Sequence, residues 1–149
     1  MTHMKKNILV VDDSALMRRV MCDIINSDSK FQATDYCRDG LEAYEKLKHT
    51  SYDGVVLDVN MPRMDGLQLL EKLQKEGIRA NVVMVSTLTD SREADVTILA
   101  MERGAIDFVA KPTNIIEAKG EAFKRQLLGI LNAVLACLLY TSPSPRDTE

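Results

Sequence analysis

Apolar and polar positions fall in alternating blocks along this chain. Asn7-Ile8-Leu9-Val10-Val11 is an apolar run, partly β-branched and ended by Asp12-Asp13, which predicts a strand covered on both faces. Ser14 stands where an N-cap would, and Met17, Val20, Met21, Ile24 and Ile25 follow at helical spacing. Phe31 to Cys37 reads as a second strand, Asp39-Gly40 as a turn, and Leu41, Tyr44 and Leu47 as a second helix. Gly54 to Asp58 is a third strand. A loop over Met61-Pro62-Arg63-Met64-Asp65-Gly66 leads into a helix with Leu67, Leu70 and Leu73 on its inner face. Asn81 to Val85 is a fourth strand closed by Ser86-Thr87. The next helix carries Ile98, Leu99 and Met101, with Gly104 just past its end. Ala105 to Ala110 is a fifth strand stopped by Lys111-Pro112. A last helix is predicted from near Glu117 to Val134, with Phe123, Leu127, Leu131 and Val134 on one side.

Five strand–helix alternations predict an α/β, doubly wound fold: a five-stranded parallel sheet with five helices on its two faces. Ligands of such a sheet sit outside the carboxyl ends of the strands. The chain has 149 residues, the size of one domain, and 46% of them are hydrophobic, enough for a core without disulfide or metal staples. Residues 5–135 are expected to form that domain. Residues 136–149, of which 141–149 are polar with two prolines, are expected to be a non-native or disordered tail; Thr2 and His3, ahead of Met4, also look extra.

A net charge of −3 without a dense basic run argues against a nucleic-acid surface. Leu127 to Tyr140, broken by Gly129 and Asn132, falls short of the roughly 18 apolar residues of a membrane span. No signal peptide is visible, and the three cysteines are scattered and odd in number, which fits a reducing cytoplasm.

In a parallel sheet the strand ends Asp12-Asp13, Asp58, Ser86-Thr87 and Lys111-Pro112 come to one edge. Carboxylates gathered there repel by several kcal/mol at an intermediate dielectric unless one is protonated or a cation holds them. Oxygen-only ligands suit magnesium. A lysine and a hydroxyl complete a pocket for a phosphoryl group, and one carboxylate can act as nucleophile toward it.

The ordered set Asp12-Asp13, Asp58, Ser86, Lys111-Pro112 resembles the receiver domain of two-component response regulators, over residues 5–135. The resemblance implies strand order 2-1-3-4-5 and Asp58 as the phosphoacceptor, charged by a sensor histidine kinase. It also implies Mg2+ held by Asp13, Asp58 and the backbone carbonyl of Asn60, with Asp12 acting through water. Ser86 and Lys111 would bind phosphoryl oxygens. Ser86 against Thr87 is ambiguous by one position; the family register favours Ser86, with Thr87 beside the phosphate. Lys111-Pro112 is expected to be a cis peptide. Phe108 sits where the family carries a switch aromatic coupled to Ser86, although an aromatic in a last strand also serves as core. Arg18 and Arg19 face either a kinase or solvent. Leu88 lies where it can influence phosphate lifetime, with no direction readable.

Val11-Asp12-Asp13-Ser14-Ala15-Leu16-Met17-Arg18-Arg19, Val82 to Thr89 and Met101 to Pro112 are most similar to the regulatory domain of the chemotaxis methylesterase family, whose receiver precedes a protein-glutamate methylesterase and glutamine deamidase domain. The chain stops after the last receiver helix. It has no G-x-S-x-G, and His3 and His49 lack evident triad partners, so the expectation is a regulatory half without esterase activity of its own. Two alternatives stand beside it. One is a stand-alone receiver acting on a flagellar motor or as a phosphate sink. The other is an aspartyl-phosphate phosphatase of the haloacid dehalogenase type, which the motif order opposes because here the acidic pair precedes Asp58.

Overall fold

The computed structural model describes residues 5–87 and 93–136. The expectations for Thr2, His3, Leu88 and the tail beyond 136 concern residues outside these. The strands are β1 (Lys6–Val11), β2 (Phe31–Cys37), β3 (Gly54–Asp58), β4 (Val82–Ser86) and β5 (Ala105–Ala110). They form one parallel sheet in the order β2-β1-β3-β4-β5. The order reverses at β1, so a crevice opens between the ends of β1 and β3.

The helices are α1 (Ala15–Asn26), α2 (Gly40–His49), α3 (Gly66–Lys75), α4 (Glu93–Glu102), α5 (Ile115–Ala118) and α6 (Glu121–Leu131). Alternate residues of the buried central strands feed two cores. Ile8, Val10, Val56, Val83 and Val85 pack with α1 and α6. Leu9, Val11, Val55, Leu57 and Met84 pack with α2 and α3. Because both faces are covered, β3 and β4 are buried at every position and read as continuous apolar runs rather than alternating ones.

One expectation is corrected. The terminal helix is not continuous. Asn114 caps α5 through the Glu117 N–H, Gly120 turns the chain in extended conformation, and α6 begins at Glu121. Beyond α6 the backbone widens into a π-helical turn, Asn132–Ala136, and Leu135 becomes the fully buried contact while Val134 is only half-buried. On α4 the buried residue is Ala100, whereas Ile98 and Met101 are exposed. On α2 Leu41 is largely exposed, and Ala43, Tyr44 and Leu47 face inward.

Candidate functional site

Each polar residue at the crevice is delivered by a strand that ends there. The β1 ladder carries on through the Asp12 N–H to the Cys37 carbonyl, 3.1 Å, which turns the Asp12 side chain into the crevice, fully buried. Its Oδ1 accepts the Ser14 N–H at 2.8 Å, and Ser14 caps α1 by accepting from the Met17 N–H. The acid and the start of α1 are thus one local structure. Asp13, the next residue, is exposed. Asp58 ends β3 and is buried; the following residue keeps the ladder, with the Val59 N–H on the Val85 carbonyl.

Carboxylate oxygens of Asp12, Asp13 and Asp58 all lie within 4.8 Å of one another. Lys111, half-buried at the end of β5, reaches Asp12 Oδ2 at 2.9 Å and Asp58 Oδ2 at 3.3 Å. Its backbone N–H donates to the Ser86 carbonyl at 2.7 Å, so β4 and β5 fix where the ammonium starts. In register, Asp58 pairs with Val85 and Ser86 with Ala110, which sets buried Ser86 one residue beyond the partner of Asp58. Thr87 follows, half-buried.

Lys111 does not balance this site. Burial, and then the charge of Asp12, push the Asp58 carboxyl up to about 7, although Lys111 pulls it back. Burial acts to lower Lys111, but Asp58 and Asp12 hold its ammonium above the ordinary value. A simple ion pair would depress the acid. Here one cation faces two buried acids and a third at the rim, and the surplus charge is negative. The donor set is all oxygen and its deficit is positive charge, which fits a hard divalent cation at Asp12, Asp13 and Asp58.

The structure brings together Asp12, Asp13, Asp58 and Lys111, with Ser86 alongside. Asn60 is exposed in the loop after β3. Phe108 is half-buried on β5 opposite Met84 and packs beside the α2–α3 core. Lys111–Pro112 is corrected: among the described residues there is no cis peptide bond. Trans is the lower-energy isomer even before proline, and with it the Lys111 N–H and ammonium both find their partners. Arg18 donates to the Asp12 carbonyl at 2.8 Å and lies over the Tyr36 ring, while exposed Arg19 pairs with Asp23.

Sequence reasoning missed the support of the β3–α3 loop. Asp39, read as part of a turn, is buried; it caps α2 and takes two bonds from Arg63. The cap was findable, because an Asp followed three residues later by Glu42 opens a helix. Asp65 and Gln68 form a capping box on α3 by the same signal. Gly66 lies so close to β3 that an added Cβ would meet the Asp58 carbonyl oxygen and sit 3.1 Å from Val59 Cα.

Comparison with known proteins agrees with this geometry. The profile of the response regulator receiver domain matches residues 8–120. A protein-glutamate methylesterase/protein-glutamine glutaminase of Pyrococcus horikoshii is 45% identical over 124 residues, 83% of this chain and 33% of that protein. Its counterpart in Escherichia coli K12 is 50% identical over 109 residues, 72% of this chain and 30% of that protein. The chain spans about a third of the length of these curated relatives. The response regulator domain of Thermotoga maritima CheB superposes with a TM-score of 0.77 at 34% identity, covering 89% of this chain and 98% of that one. The CheX-CheY-BeF3-Mg+2 complex of Borrelia burgdorferi has a TM-score of 0.72 at 29% identity, covering 87% and 88%.

Proposed function

This chain belongs to the response regulator receiver family, and from that premise we propose that it is a magnesium-dependent phosphoacceptor switch in which Asp58 takes a phosphoryl group from a sensor histidine kinase. The observation that carries this reading is the convergence of Asp12, Asp13 and Asp58 carboxylate oxygens within 4.8 Å of one another, with the Lys111 ammonium on Asp12 and Asp58. A Borrelia relative described with both BeF3 and Mg supports the choice of cation.

In this reading Asp13, Asp58 and the Asn60 carbonyl would hold Mg2+, with Asp12 acting through water, and the cation would supply positive charge against the transferred phosphoryl oxygens. The Asp58 carboxylate attacks phosphorus in line. A P–O bond forms as the P–N bond to the kinase histidine breaks, and the electron pair stays on the imidazole. Lys111 pairs with a phosphoryl oxygen and leaves Asp12 less crowded. Ser86, with Thr87 and Pro112 lining the pocket, bonds another oxygen, and Phe108 follows Ser86 inward. The phosphorylated chain then favours a second surface over α4, β5 and α6.

The similarity to chemotaxis methylesterases supports a regulatory role toward an esterase domain in a longer protein, with residues 5–135 as the regulatory unit. No described helix is long and apolar enough to cross a membrane. Incubation with acetyl phosphate and Mg2+ tests the assignment. Wild type should gain one acid-stable, base-labile phosphate per chain and Asp58→Asn none; equal uptake by both removes Asp58 from the reaction.

A further inference from the structure

We propose that Arg63 and Asp39 are a positioning pair for the cation site: they clamp the β3–α3 loop so that the backbone at Asn60 is held in place before a divalent cation arrives. The inference rests on the proposed reading of Asp12, Asp13 and Asp58, together with the Asn60 backbone carbonyl, as a cation site.

Asp39 has no part in phosphoryl transfer, yet its side chain is only 4% exposed. Its Oδ1 accepts the Glu42 N–H at 2.9 Å, which any Asx cap provides. Its Oδ2 is free for another task and takes both Arg63 Nη2 at 2.7 Å and Arg63 Nε at 2.9 Å. Arg63 makes these bonds from a left-handed backbone, φ 68°, which glycine or asparagine would adopt at lower cost, about 1 kcal/mol for a residue of this kind. Arginine is thus not at this position for its backbone preference; its side chain provides the tether. The same contact continues along the main chain. The Gly40 N–H donates to the Met64 carbonyl at 2.9 Å, and an added Cβ on Gly40 would collide with that oxygen.

The loop leaves the sheet at Val59 and returns at Gly66, whose N–H bonds the Val59 carbonyl at 2.8 Å. Between those points, among the described residues, Arg63 and Met64 tie its middle to α2. Asn60 is exposed, so the packing of its own side chain does not fix its carbonyl; the loop's shape does. A loop released at Arg63 must be ordered again by the cation, and that cost appears as lost affinity.

Calorimetric Mg2+ titration of the full chain tests this, with melting in EDTA as the control for a purely structural role. Arg63→Gly removes the tether while easing the backbone. Asp39→Asn keeps a cap acceptor for α2 and loses the charge. Each should raise the Mg2+ dissociation constant about tenfold, at the lower end of support-residue effects. Arg63→Lys should lose less, and the double variant should be no weaker than either single one. Folded Arg63→Gly and Asp39→Asn proteins that bind Mg2+ like wild type overturn the inference, as do strictly additive losses. Asp13→Ala separates the two levels. If it weakens Mg2+ binding and the tether variants do not, only the clamp fails. If it leaves Mg2+ binding intact, the cation site fails and the clamp with it.

Discussion

Two buried carboxylates and one ammonium leave an unbalanced negative charge in a place that water scarcely reaches, and that imbalance has a measurable signature at Asp58. Without a cation the folded protein holds the Asp58 proton up to about pH 7, whereas the unfolded chain releases it near 3.8. Between those values the folded state binds more protons than the unfolded one, so stability falls as pH rises and levels off above about 7. Urea unfolding in EDTA at several pH values should therefore show a downward slope of a few kcal/mol in total across that window. Asp58→Asn should flatten it, and Mg2+ should restore much of the loss at neutral pH. An unchanged slope in Asp58→Asn would mean that Asp58 does not carry the strain. Asp12, Asp13, Asp58 and Lys111 were legible in the sequence because each ends a strand, and strand ends of a parallel sheet share an edge. Arg63 and Asp39 were not. Their meeting depends on a left-handed turn inside a loop, and no hydrophobic period reports a loop's path.

At the scale of elements, runs and periods found all five strands and the inner face of α1, whose buried positions are Met17, Val20, Met21, Ile24 and Ile25. The pattern picked no inner face where a helix has little contrast between its faces. α4 carries apolar residues almost all round, and only packing selects Ala100 for the core and leaves Ile98 and Met101 in solvent. The break between α5 and α6 needed the cap at Asn114 and the turn at Gly120 to be weighed against an unbroken apolar stripe. The joint between β3 and α3 gives the sharpest test at this scale. Gly66 lets α3 start directly on the backbone of β3, and the nearest atom to an added Cβ is the Asp58 carbonyl oxygen, a main-chain atom that cannot swing aside. Gly66→Ala should lower stability by about 1–3 kcal/mol in urea unfolding, the range for overpacking, and should weaken Mg2+ binding as the loop shifts. Wild-type values for both would show that α3 can withdraw without disturbing the site.

For the molecule as a whole, βα alternation pointed to a parallel sheet and to the edge where chemistry gathers, whereas the strand order was legible only through the family resemblance. The far end of the chain was less legible, since the π-helical turn substitutes Leu135 for Val134 at the core. Leu135 reaches across to Gly54 and Ile8 at the start of the sheet, opposite the acidic edge. Leu135→Ala should cost about 2–5 kcal/mol, as buried leucines do, while leaving Mg2+ affinity unchanged; a negligible cost would place the limit of the domain before this turn. A phosphoacceptor role requires that the Asp58 carboxylate become an acyl phosphate. Borohydride reduction converts such a phosphoaspartate to homoserine, so peptide mapping after treatment with acetyl phosphate and Mg2+ should find homoserine at position 58. Homoserine at another aspartate, or none while phosphate is incorporated, would contradict it.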